Sequence, residues 1–208
     1  MKIEITFTEP LLGTLSGNKE IAEEFILSNH PQGISKDELE AMADLPEAME
    51  KSSTFFARNE DNNPMLWDYQ IKGFFKEACS AMIHTDTMTK EELKKVRLTE
   101  HLYKKTIDQQ IFVAPRQLVL QLPKGIDKDK LPFCQRPLRG QTMKGERISL
   151  ARSEQLPAET KIEIEVICLN AALIDFIKRW LDYGALKGLG QWRNSGMGRF
   201  SWKELKSK

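Results

Sequence analysis

Four glycines fall within the segment Gly188-Leu189-Gly190-Gln191-Trp192-Arg193-Asn194-Ser195-Gly196-Met197-Gly198. Glycine at this density weakens a chain unless the backbone needs positive φ or a close approach. Successive N–H groups in such a turn can converge on an anion such as a phosphate. Arg193 and Arg199 add positive charge beside that concavity. Trp192 offers a ring on which a base would stack, worth roughly 1–3 kcal/mol. A plain tight turn between a helix and a strand is the competing reading. The symmetric pair of Gly-apolar-Gly triplets argues for more than that.

Two other groups of basic residues have the spacing of a polyanion surface. Lys72 and Lys76 are four apart and share one helix face. Residues 136–152 carry Arg136, Arg139, Lys144, Arg147 and Arg152 against the single acid Glu146. That segment reads as an extended β-hairpin or loop that reaches over a bound strand, or as a solvated loop. Each phosphate contact would steepen the salt dependence of binding by roughly 0.7 on a single strand. Phe55, Phe56, Trp67 and Trp202 are further stacking candidates, with Phe55, Phe56 and Trp202 favouring the core. Trp180 lies on the apolar side of its helix and reads as core.

Residues for catalysis are sparse. A metal-free ribonuclease needs a group that takes the 2′-OH proton near neutral pH. His30, His84 and His101 are all distant in sequence from the glycine segment, and Asp61 belongs to an Asn/Asp turn. Paired carboxylates, a nucleophile elbow and a P-loop lysine motif are absent. Cys79, Cys134 and Cys168 are far apart, without a zinc-ligand spacing. No catalytic residue, metal or cofactor is therefore expected. The three thiols read as structural, in a reducing cytoplasm.

The elements that must position these residues follow from periodicity. Ile3, Ile5 and Phe7 alternate with Lys2, Glu4 and Thr6, the pattern of a half-buried strand. Helices are predicted at 18–28 and, acidic and short, at 36–50. The spacing of Ile71, Phe74, Phe75, Ala78 and Met82 predicts a helix from Trp67 to Ile83. A charged helix is predicted over 89–105, opened by the capping box Thr89–Glu92. Residues 110–122 and 161–168 read as strands. Asn170 caps a helix through about Leu186, and a last strand spans about 197–204.

The chain has 208 residues, a net charge of +1, 40% hydrophobic and 29% charged residues and a mean hydropathy of −0.45. These values suit one domain with insertions or two small ones, and exclude a bulk polycation. The N-terminus lacks the apolar core of a secretory signal, and no apolar run is long enough to span a membrane. Two strand–helix–strand halves predict an α+β, ferredoxin-like (RRM-like) antiparallel sheet with helices on one face. The domain reading is one unit over 1–208, with a helical insertion at 17–65 and a basic hairpin or loop at 124–157.

The glycine segment resembles the glycine-rich loop of the RAMP superfamily, the RNA-binding proteins of CRISPR systems. Gln70-Ile71-Lys72-Gly73-Phe74-Phe75-Lys76 is similar to the first-helix motif of its backbone-subunit branch. Leu156-Pro157-Ala158-Glu159-Thr160-Lys161 is similar to that branch's Pro-Ala-Gly-Thr turn, with Glu159 where glycine is usual. Phe7 to Gly13 also looks like bacteriophage proteins. The resemblance implies binding of single-stranded RNA, or single-stranded DNA, through backbone phosphates. Lys72, Lys76, Arg136, Arg139, Lys144, Arg147, Gly188, Gly190, Trp192, Arg193, Gly196, Gly198 and Arg199 would form the groove. Self-association or docking on other RAMP subunits is the implied assembly. Two alternatives remain open: a phage-encoded interaction module that mimics or inhibits a CRISPR complex, and a metal-independent ribonuclease.

Overall fold

The computed structural model describes residues 1–16, 53–85, 89–142 and 145–205. The helices expected at 18–28 and 36–50, together with His30 and Lys144, lie outside the described residues. The architecture is α+β.

The alternation at the N-terminus forms strand β1 (Lys2–Phe7), at the centre of a four-stranded sheet. Its neighbours are β11 (Lys161–Cys168) and β12 (Phe200–Leu205), and β7 (Ile111–Ala114) lies beyond β11. The order is β12-β1-β11-β7, and every neighbouring pair is antiparallel. Register pairs Ile3 with Ile164, Ile5 with Ile162, Phe7 with Phe200 and Val113 with Val166. Because side chains alternate across a strand, these rows share one apolar face.

Helices α1 (Asp68–His84) and α4 (Ile174–Lys187) pack on that face. Helix α1 buries Ile71, Phe74, Phe75, Ala78 and Cys79, and α4 buries Ile177, Trp180, Leu181 and Gly184. Phe75 meets Trp180 at 5.7 Å between ring centroids, and Phe74 meets Phe200 at 5.5 Å. Gly184 leaves the space that the Phe200 ring fills. Burial pushes the Cys79 thiol up to about 12, which leaves it an inert part of the core. The opposite sheet face carries both charge signs: Lys2, Glu4, Lys161, Glu163, Glu165 and Lys203.

Two further sheets flank this one, beyond the single sheet that the sequence predicts. In the first, β2 (Leu11–Leu12), β10 (Gly145–Leu156), β4 (Ser53–Phe55) and β3 (Leu15–Ser16) follow in that order. Strand β9 (Phe133–Thr142) also pairs with β10, and the β4–β10 pairing is parallel. In the second, β5 (Ala57–Arg58), β6 (Pro64–Trp67) and β8 (Gln117–Val119) pair in order. Leu15, Phe55, Ala57, Met65 and Trp67 form a second, smaller core there.

The helix predicted over 89–105 is two helices, α2 (Lys90–Lys95) and α3 (Tyr103–Gln110). Arg97 takes a left-handed φ of 58° and ends α2. Its N–H donates to the Lys94 carbonyl, and the Leu98 N–H donates to the Leu93 carbonyl at 2.9 Å. Buried Leu93 and Leu98 complete a Schellman stop, which outweighs the helical charge pattern. Among the described residues, no helix is long and apolar enough to cross a membrane.

Candidate nucleic-acid interface

The glycine segment links α4 to β12. Gly188, Gly190, Gly196 and Gly198 all sit at positive φ, between 70° and 86°. The loop is laced by its own backbone. The Leu189 N–H donates to the Gly198 carbonyl at 2.9 Å, and the Gly198 N–H donates to the Pro10 carbonyl at 2.8 Å. The Gly196 N–H donates to the Arg193 carbonyl, closing the 3-10 turn Arg193–Ser195. Much of the donor set is therefore spent on architecture. Outward the loop presents the side chains of Gln191, Trp192, Arg193 and Asn194.

Those side chains meet the long ribbon of β9 and β10, paired without a break from Phe133↔Glu154 to Thr142↔Gly145. The basic segment thus takes the hairpin form. Its base is anchored by Glu154, which accepts from the Phe56 N–H at 2.9 Å and pairs with the Arg58 guanidinium. Burial raises the Glu154 carboxyl above its ordinary value, and Arg58 opposes that shift. Arg139 and Arg147 enter through backbone register alone, paired with Ile148 and Gly140.

Arg136 leaves β9 toward the glycine loop and is only 7% exposed. It donates to Gln191 Oε1 at 2.7 Å and to Ser153 Oγ at 3.5 Å. Gln191 Nε2 donates to Thr54 Oγ1 at 3.3 Å, and the Thr54 hydroxyl donates to Ser153 Oγ at 2.8 Å. Four side chains from β9, the loop, β4 and β10 therefore close a hydrogen-bonded ring. Every acceptor in it is neutral, and among the described residues Arg136 has no carboxylate partner. Among the described residues this buried charge lacks a counter-ion, an arrangement that is costly and that an anion bound in the cleft would relieve.

An open cleft lies here, lined by Arg136, Lys187, Gly190, Gln191, Trp192, Arg193 and Asn194. Trp192 is 38% exposed, and the Arg136 guanidinium sits 5.3 Å from its ring centroid. Arg193 pairs with Glu77 of α1, and Lys187 lies 3.8 Å from the same carboxylate. Among the described residues, three cations thus face one anion around the cleft. Arg199 is exposed and donates through Nε to the Leu186 carbonyl at 3.0 Å.

The structure gathers Arg136, Gly190, Trp192 and Arg193 of the sequence-predicted set. Lys72 and Lys76 go elsewhere, both reaching Asp108 of α3, at 3.9 and 2.7 Å. At 3.6 residues per turn, they lie roughly 100–140° around α1 from Glu77, which meets the loop. Burial lowers the Lys72 ammonium below its ordinary value, with Asp108 opposing. Phe55, Phe56 and Trp67 are buried and closed to stacking, so the stacking role considered for Trp67 is withdrawn. Trp202 packs on the core and donates to Asp182 Oδ1 at 2.8 Å. Sequence reasoning missed Lys187, Gln191, Glu77 and Thr54. Only the position of Lys187 and Gln191 inside or beside the glycine segment offered a signal.

Comparison with solved structures finds a similar fold in the "Cryo-EM structure of the Type III-B Cmr-beta bound to cognate target RNA". The TM-score is 0.52 at 13% identity, over 99% of this chain and 58% of that one. A chain of a "Type IV-B CRISPR Complex" gives 0.47 at 11% identity, over 100% of this chain and 92% of its own. Cmr6 from Pyrococcus furiosus gives 0.46 at 10% identity, over 96% of both chains. At these identities the likeness is one of fold, and this chain spans just over half the length of the Cmr-beta chain. No protein-family model and no curated protein matches the sequence.

Proposed function

We propose that this chain is a RAMP-fold protein that binds single-stranded RNA through its phosphates, in the cleft between the glycine loop and the β9–β10 ribbon. The observation that carries the reading is Arg136: buried, held by neutral partners, and opening on a cleft that also holds Lys187 and Arg193. The strand order β12-β1-β11-β7, with a helix between β1 and β7 and another between β11 and β12, suits the ferredoxin-like core of that superfamily. The fold likeness to a chain of an RNA-bound Cmr-beta complex supports RNA over DNA. The resemblances at residues 70–76 and 156–161 favour the backbone-subunit branch.

The mixed charge of the open sheet face makes it a poor phosphate track. The cleft offers instead an excess of cations over anions among the described residues. Among the described residues the cleft is lined by cationic, amide and indole groups, and the nearby Glu77 carboxylate is held by Arg193 and Lys187, which supports binding as its role. His84 lines a separate groove with Lys90 and Lys94. Phosphate contacts position a strand without reading its sequence, so little sequence preference is expected from them.

Fluorescence anisotropy with labelled single-stranded RNA and DNA across a salt series tests the reading. Binding should weaken with salt, and Arg136→Ala should cost roughly 10-fold or more, the worth of a charge-assisted hydrogen bond. Arg193→Ala, at a more accessible position, should weaken binding without unfolding. Absence of binding at low salt, or equal binding by both variants and the parent, would overturn the assignment.

A further inference from the structure

Resting on the proposed nucleic-acid reading, we infer that Trp192 and Arg136 together form a slot for one nucleobase, so that the cleft holds a whole nucleotide rather than a phosphate alone.

The four tryptophans differ sharply in their surroundings. Trp67 and Trp180 are buried, and Trp202 is half-buried with its N–H given to Asp182. Trp192 is the exposed one. It also has a left-handed backbone, with φ 54° and ψ 35°, in a loop that uses glycine at its other positive-φ positions. A bulky residue in that region is strained, and such strain concentrates where a side chain is needed for function. The strain here keeps an indole at the mouth of a cleft.

The indole is also pre-set. Arg136 lies over the ring, and the Gln191–Thr54–Ser153 ring of hydrogen bonds fixes Arg136. A side chain held by its neighbours loses little freedom when a ligand arrives. The remaining indole surface looks into a cleft whose other groups are cationic or polar: Lys187, Arg193, Gln191 and Asn194. A ligand that matches both must carry a flat π face and an anion close to it. A nucleotide within a single strand has that chemistry, and base–aromatic stacking tolerates any base. Since no other exposed tryptophan is present among the described residues, the slot has a built-in optical signal.

The test compares a short single-stranded RNA with an abasic ribose-phosphate oligomer of equal length, by anisotropy and tryptophan emission. The parent should bind the RNA with quenched emission. It should bind the abasic oligomer roughly 5- to 100-fold more weakly and without quenching. Trp192→Leu keeps apolar bulk but removes the π face; it should bind RNA no better than the parent binds the abasic oligomer, without quenching. Equal affinity of the parent for both oligomers, with unchanged emission, would overturn the slot and leave the phosphate reading standing. Failure to bind either oligomer would remove both. Trp192→Phe should recover most of the affinity; if it behaves as Trp192→Leu does, stacking is not the interaction.

Discussion

Alanine at Gly198 and alanine at Gly196 are the same chemical change two residues apart in one loop, yet the fold assigns them different costs. Both backbones are left-handed, at φ 70° and 86°. A side chain at such a φ costs about 1 kcal/mol at either position. At Gly196 the added methyl meets nothing nearer than the flexible end of Arg199, at 3.6 Å, so the strain is the whole effect. At Gly198 it would stand 2.9 Å from the Leu189 carbonyl carbon and closer still to the oxygen. Relief requires moving backbone that makes two hydrogen bonds, Leu189 N–H to Gly198 O and Gly198 N–H to Pro10 O. Each such bond contributes roughly 0.5–1.5 kcal/mol, and overpacking adds about 1–3 kcal/mol. The sum at Gly198 is about 3–7 kcal/mol. With roughly 2–4 °C per kcal/mol for a chain of this size, Gly196→Ala should lower Tm by about 3 °C and Gly198→Ala by about 10 °C or more. Circular dichroism melts and urea titrations measure both. Similar losses at the two positions, or a milder effect at Gly198, would refute the view that the glycines frame the loop in unequal ways.

Three further outcomes are expected. Glu159 occupies the turn position at φ 67°, with its N–H on the Phe7 carbonyl, so Glu159→Gly should stabilise by about 0.5–1 kcal/mol in a urea titration; a loss of stability would mean the side chain matters there. Glu77 draws on both Arg193 and Lys187 and competes with a phosphate, so Glu77→Gln should tighten RNA binding about 2- to 5-fold and steepen its salt dependence; unchanged or weaker binding would count against Arg193 as a phosphate contact. A hydrogen bond from Lys203 holds the Glu4 carboxyl below the ordinary range, against its own burial and with help from Lys161. Because its folded pKa lies below the unfolded one, its contribution is full above the ordinary carboxylate value and lost as pH falls through the folded value. Melts of Glu4→Gln should thus fall short of the parent at neutral pH and converge with it in strong acid; a constant gap would exclude this origin.

The local chemistry of the chain was legible in the sequence. Alternation at Ile3, Ile5 and Phe7 and at Ile162, Ile164 and Val166 marks strands, because a two-residue period must bury one face. The capping box Thr89–Glu92 forms as its spacing demands, with the Glu92 N–H donating to Thr89 Oγ1 at 3.2 Å. The crowding of glycines announces a loop with positive φ, since other residues resist that region. Lys72 and Lys76 share a helix face as their spacing requires, but their common partner is Asp108, which no spacing rule connects to them. Arg97 ends a helix without glycine, with the Leu98 N–H returning to the Leu93 carbonyl and both leucines buried. The ring of Thr54, Arg136, Ser153 and Gln191 spans up to 137 residues of sequence. It exists only because β4 pairs with β10 in parallel, β9 in antiparallel, and the glycine loop docks against them. Backbone conformation and burial periodicity act over a few neighbouring residues, so the sequence alone determines them. Which charged side chain stands without a counter-ion depends on sheet register and loop docking, and those only the tertiary structure decides.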